Sequence, residues 1–181
     1  MTNVAVVYAQ ALYDLAKDES CSEPVLKELS ALGESFAQEQ AFVRLLSAPN
    51  LSKEERCRIL DDSFRGKVNP YVLNFLKILT EKGYMRHFAD CCKEYRAIFN
   101  RDHGILEVCA VTAVPLNADQ SDRLTQKLAK VTGKIIDLHN RVDPGCLGGI
   151  RLDYDGKRVD DTVAHRLASI GAMLKNTVLR K

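Results

Sequence analysis

No stretch of this 181-residue sequence approaches the roughly 20 consecutive apolar residues that a membrane-spanning helix needs; its longest apolar runs are a handful of residues. Met1-Thr2-Asn3 also lacks the basic opening of a secretory signal, so a soluble protein that stays in its compartment of synthesis is expected. Six cysteines are present without a single C-x-x-C, which argues against zinc ribbons and thioredoxin-like redox motifs and leaves the thiols as reduced, mostly buried packing groups. Charge of one sign is scarce as well. The net charge is +2, and counting along the chain gives −1 for residues 1–104 and +3 for 105–181. Neither half offers the concentrated positive charge that nucleic acid or anionic lipid requires.

Catalytic signatures are missing too. The sequence contains no G-x-x-x-x-G-K-[ST], G-x-G-x-x-G, G-x-S-x-G or H-E-x-x-H. Gly145, Gly148 and Gly149 lead into a strand instead of a helix N-terminus, so they lack the array of N–H groups that a phosphate loop uses and read as bends or points of close backbone approach. His87 and Cys91 stand at i,i+4 but have no evident third and fourth metal ligands. His103, His139 and His165 are scattered, with no nucleophile in a recognisable motif beside them. Asp160-Asp161 precedes a helix and reads as a cap and dipole partner before it reads as an acid/base pair. These residues supply no recognisable catalytic, cofactor or metal motif, and each reads first as a surface or packing residue, with convergence of distant side chains left open.

With 46% hydrophobic and 28% charged residues there is ample material for a core. The pattern divides near Gly104. Before it, apolar residues recur at helical spacing in six segments. These are Asn3 to Asp18, a helix opened by the cap candidate Ser22 with Pro24 in its first turn, Gln40 to Leu46 stopped by Pro49, a helix launched by the capping box Ser52-Lys53-Glu54-Glu55, Asn69-Pro70 to Gly83, and a last one ending at Gly104. Beyond Gly104 the period becomes two. Ile105 to Val114 and Lys134 to Asp143 read as strands flanking a helix over Asn117 to Thr132. Ile150, Leu152 and Tyr154 alternate with polar residues ahead of Asp155-Gly156, a type I′ hairpin signal, and a helix follows from Asp161 with Val163, Leu167, Ile170 and Leu174 on one face. The expected fold is α+β: a six-helix bundle over 1–104 followed by a small βαββα domain over 105–181.

Two helices carry more apolar surface than one core face needs. Around the first, Asn3, Gln10, Asp14, Lys17 and Asp18 make a narrow polar stripe, leaving roughly 200° apolar. Ala5, Ala9, Leu12 and Ala16 occupy the middle of that arc, with Val4, Tyr8, Ala11 and Leu15 on its flank. The fifth helix has Val72, Leu76 and Leu79 on one apolar side and Tyr71, Phe75 and Ile78 on another. Two readings stay open on these residues alone. Either both helices are central and buried on two sides, or their outer stripes line a groove that a partner's amphipathic helix completes.

Val7-Tyr8-Ala9-Gln10-Ala11-Leu12-Tyr13-Asp14-Leu15-Ala16 resembles the opening of the delta subunit of bacterial F-type ATP synthase, the counterpart of mitochondrial oligomycin-sensitivity-conferring protein. The resemblance continues in order through Leu79-Thr80-Glu81-Lys82-Gly83-Tyr84, Leu147-Gly148-Gly149-Ile150-Arg151-Leu152, Asp160-Asp161-Thr162-Val163 and Arg166-Leu167. Asp161 departs from it, since the family commonly has Gly there. The resemblance implies a non-catalytic stator subunit that joins the catalytic alpha/beta hexamer to the peripheral stalk during proton-driven ATP synthesis. It further implies that the helical domain holds the N-terminal helix of an alpha subunit between its first and fifth helices, with Val4, Tyr8, Ala11, Leu15, Tyr71, Phe75 and Ile78 as the groove. The small domain would meet the b subunits of the stalk, at the cytoplasmic face of a bacterial plasma membrane and without membrane insertion. A helical RNA-binding module of the transcription antitermination type is the rival reading, and the −1 balance of the first half argues against it. A small hydrolase built on Asp160, Asp161 and His165 is weaker still.

Overall fold

In a computed structural model of the chain, residues 3–47 and 51–169 are described. The chain divides into two compact units, Met1–Phe99 and Asn100–Lys181.

The first unit is built from α1 (Asn3–Asp18), α2 (Ser22–Gln38), α3 (Gln40–Leu46), α4 (Lys53–Phe64), α5 (Pro70–Glu81) and α6, which starts at Phe88, ends at Asp102 and carries the unit boundary in its last turn. Each start has a local cause. Ser52 accepts from the Glu55 N–H at 3.2 Å while the Glu55 carboxylate accepts from the Ser52 N–H at 2.9 Å, so two of the orphan donors at the start of α4 are satisfied. Asn69 caps α5 through the Tyr71 N–H at 2.9 Å, with Pro70 in the first turn. At α2 the expected cap moves by one residue: Cys21 stands at the N-cap without a side-chain bond, and Ser22 is the first helical residue. A 3₁₀ turn, Met85–His87, leads into α6 and was not evident from periodicity. Pro49, expected to stop α3, lies outside the described residues.

Small residues let α1 sit deep. Ala5, Ala9, Leu12, Tyr13 and Ala16 are all buried, against a core that includes Val25, Leu29, Leu60, Val72, Leu76, Leu79 and Tyr95. Tyr95 makes an edge-on contact with Tyr13, centroids 5.5 Å apart, and its hydroxyl donates to the Ser22 carbonyl at 3.0 Å, which pins α6 to the start of α2. Lys77 on α5 reaches Asp61 on α4 at 2.7 Å. That neighbour holds the Asp61 carboxyl below its ordinary range.

The second unit is a four-stranded mixed sheet in the order β2-β1-β3-β4. Its strands are β1 (Ile105–Thr112), β2 (Ile135–Val142), β3 (Ile150–Tyr154) and β4 (Lys157–Asp160). Helix α7 (Ala118–Thr132) crosses between β1 and β2, which run parallel with Ile105 opposite Ile135, and it lies against β2. β3 and β4 are antiparallel neighbours on the other side of β1. Central β1 carries the fully buried Val108, Ala110 and Val111. Because the arm Lys157–Asp160 is a full strand of the sheet, the expected βαββα order is corrected to βαβββ before the last helix, α8, described over 163–169. Asp155 and Gly156 both have positive φ, 47° and 71°, as a type I′ turn requires. Ile170 and Leu174 of the last helix lie outside the described residues.

The glycine pair before β3 sets where α8 begins. Gly149 has φ +77°, and a Cβ there would run into the Asp161 carbonyl. The approach lets the Ile150 carbonyl accept from the Asp161 N–H and the Gly148 carbonyl from the Val163 N–H, both at 3.0 Å. Thr162, not the aspartate pair, caps the helix: its hydroxyl accepts from the His165 N–H at 3.2 Å. Asp160 supports that cap by accepting the Thr162 hydroxyl at 2.7 Å and its N–H at 3.0 Å, which holds the Asp160 carboxyl below its usual range.

Candidate functional site: the outer stripes of α1 and α5

α1 presents two apolar stripes with different fates. One is the buried line of Ala5, Ala9, Leu12 and Ala16. The other, turned about 100° away, contains Val4, Tyr8, Ala11 and Leu15. Val4 and Tyr8 are half-buried, Ala11 is exposed, and Leu15 is 40% exposed. Val7, 59% exposed, borders this stripe and widens it. The sequence reading missed Val7 because it falls within the polar sector of the helix. α5 contributes the half-buried Tyr71 and Ile78. Burial, and then hydrogen bonding to Glu19 just beyond α1, pushes the Tyr71 phenol above its ordinary value, so this tyrosine spans from one helix to the end of the other. At the opposite end Tyr8 meets Tyr84, just past α5, with ring centroids 6.0 Å apart.

Phe75 departs from the expected groove. It is only 5% exposed and packs on Phe88 of α6, centroids 6.4 Å apart, so it belongs to the core of the unit and can at most underlie the stripes. The remaining six residues are all at least partly accessible.

The other candidate residues are held in structural roles. His87 faces Asp90 at 3.9 Å and accepts from Arg86 at 3.3 Å, while Cys91, its i,i+4 neighbour, is buried and pushed up to about 11. Burial drives Cys92 to about 12, which leaves both thiols protonated and unreactive near neutrality. His139 lies between Glu107 and Asp137 on neighbouring strands, at 3.8 and 3.4 Å. Asp161 is ion-paired with Arg166, at 2.9 Å from its Nε, and the backbone N–H of His165 donates to the Thr162 cap. Among the described residues no three His, Cys, Asp or Glu side chains group as a metal site, and no helix is long and apolar enough to cross a membrane.

On the first unit, α1 leaves a second apolar stripe accessible beside its buried one. The sequence profile of the ATP synthase delta (OSCP) subunit family matches residues 4–174. The chain belongs to that family. It is 33% identical over 172 residues to ATP synthase subunit delta of Alkaliphilus oremlandii, covering 95% of this chain and 96% of the relative. It is 26% identical over 176 residues to that of Clostridioides difficile, covering 97% of each. The fold is shared with a chain in the cryo-EM structure of the Toxoplasma gondii mitochondrial ATP synthase hexamer, at a TM-score of 0.76 and 19% identity over 96% of this chain and 98% of that one. As a member of the delta family the chain is a non-catalytic subunit of the F-type ATP synthase with a stator role. An RNA-binding role has no support in these relationships.

Proposed function

We propose that the stripes of α1 and α5 hold the amphipathic N-terminal helix of an ATP synthase alpha subunit, so that the helical unit grips the top of the catalytic alpha/beta hexamer. The smaller unit then meets the C-terminal end of the b subunits of the peripheral stalk, with the assembly at the cytoplasmic face of a bacterial plasma membrane. The observation that carries this reading is the second apolar stripe of α1, ending in Leu15 at 40% exposure and bordered by Val7 at 59%. A helix fulfilling only a core role has no use for it, whereas an amphipathic partner helix laid alongside removes it from water at about 25 cal/mol per Å². A stator must resist torque without turnover, and helix-in-groove contacts with slow dissociation suit that task better than a catalytic pocket does.

Reconstitution tests the role. Membranes stripped of this subunit should keep ATP hydrolysis in the detached hexamer yet lose ATP-driven proton pumping, and added protein should restore pumping. Restored pumping by a chain lacking residues 3–18 would contradict the assignment of α1.

A further inference from the structure

On the helical unit, away from the α1 and α5 stripes, a cleft of about 350 Å³ opens between α2, α3 and the start of α6. We propose that it is a second docking site, for a partner peptide segment carrying a large apolar side chain flanked by carboxylates. The floor is aromatic and nearly buried: Phe36 and Phe88 meet with centroids 5.1 Å apart, beside Met85. Val43 of α3 forms a half-buried wall. Gly33 leaves part of the floor unfilled, since a Cβ there would find only the Cys92 Sγ, 3.9 Å away. The volume sits at the small end of the range for ligand sites, enough for one or two side chains.

The rim decides the chemistry. Arg44 and Arg86 both line the cleft, both are exposed, and no carboxylate lines it. Neither arginine is in an ion pair among the described residues; Arg86 spends only its Nε–H, on His87. Asp90, on the first turn of α6, faces His87 instead. Two uncommitted guanidinium forks above an apolar floor match a ligand with an apolar anchor and adjacent carboxylates, because each fork can take a carboxylate in two parallel hydrogen bonds. The cleft is open along helix walls and not enclosed, which suits a side chain presented from a peptide. None of its residues belongs to the α1–α5 groove, so the two sites stand or fall separately.

The test is an ¹⁵N NMR titration of the full chain. The probe is an acetylated 14-residue peptide with Leu and Phe on one helical face and four flanking Glu, compared with the same peptide carrying Lys for Glu. The acidic peptide should produce saturable shifts at the Gly33, Val43 and Ala89 amides, and the basic one should not. The double change Arg44→Glu with Arg86→Glu should weaken binding at least tenfold. Ala37→Trp, at an exposed lining position, should do the same by filling the cleft. Circular dichroism should match the parent chain in both variants; if charge reversal disturbs it, Arg44→Gln with Arg86→Gln replaces that arm. Absence of saturation, shifts confined to α1 and α5, or indifference to both variants would overturn the proposal.

Discussion

Tyr8 of α1 and Tyr84, the residue that follows Gly83 at the end of α5, meet edge to face with ring centroids 6.0 Å apart and an interplanar angle of 63°. The pair ties α1 to the turn that follows α5, at one end of the proposed groove. An edge-to-face pair contributes about 1 kcal/mol beyond the area it buries. A double-mutant cycle with Tyr8→Leu and Tyr84→Leu, read by chemical denaturation, should return a coupling of about that size. A coupling indistinguishable from zero would mean the rings merely touch.

Among the described residues of the second unit, Gly149 should be the least replaceable glycine. Gly149→Ala suffers both the positive φ and the collision with the Asp161 carbonyl, and should cost about 2 kcal/mol or more. Gly156→Ala has an equally positive φ but open space around the new methyl, and should cost about 1 kcal/mol. Equal losses in thermal stability for the two variants would show that Asp161 yields easily.

Thr80 is fully buried, and its hydroxyl finds no partner among the described residues, although its carbonyl accepts a hydrogen bond from Arg56 at 3.5 Å. An unsatisfied buried hydroxyl costs about 1 to 3 kcal/mol. Thr80→Val keeps the shape and removes the hydroxyl, so Tm should stay level or rise by a few degrees. A clear fall would reveal a hydrogen bond the hydroxyl makes in solution.

Acid should loosen the start of α8 through Asp160. Its carboxyl is held below the ordinary value of 3.8, first by the side-chain and then by the backbone hydrogen bond of Thr162. A depressed folded value stabilises above the unfolded one, and that contribution fades as pH falls from about 4 through the folded value. Asp160→Asn should therefore flatten the loss of stability of the second unit as pH falls below about 4. An unchanged pH profile would remove Asp160 from the explanation.

Local chemistry made much of this architecture legible. The Ser52 capping box, the Asp155-Gly156 turn and the left-handed Gly104 at φ +62° each depend on residues adjacent in sequence, and each lies where the pattern put it. The points that differ depend on distant partners. Phe75 sits on the helical wheel between the core side of α5 and its outer side, and the arrival of Phe88, 13 positions later, decides that it is buried. The cap of α8 shifted from the aspartates to Thr162 because Gly148 and Gly149 hold the chain there from the other side of the hairpin. The second apolar stripe of α1 was legible as an excess of apolar arc, but which residues of the proposed groove lie open to solvent was not.

The most direct test is calorimetric titration of the full chain with a peptide of the first 25 residues of its own alpha subunit. Ala11→Asp and Leu15→Asp place a charge on the accessible stripe and should leave the circular dichroism spectrum unchanged while weakening binding by about 2 kcal/mol or more, roughly thirtyfold. Leu12→Asp and Phe75→Asp, at buried positions, should unfold the helical unit instead. Parent-like affinity in folded Ala11→Asp and Leu15→Asp would contradict the account, because the alpha helix would then be held somewhere other than between α1 and α5.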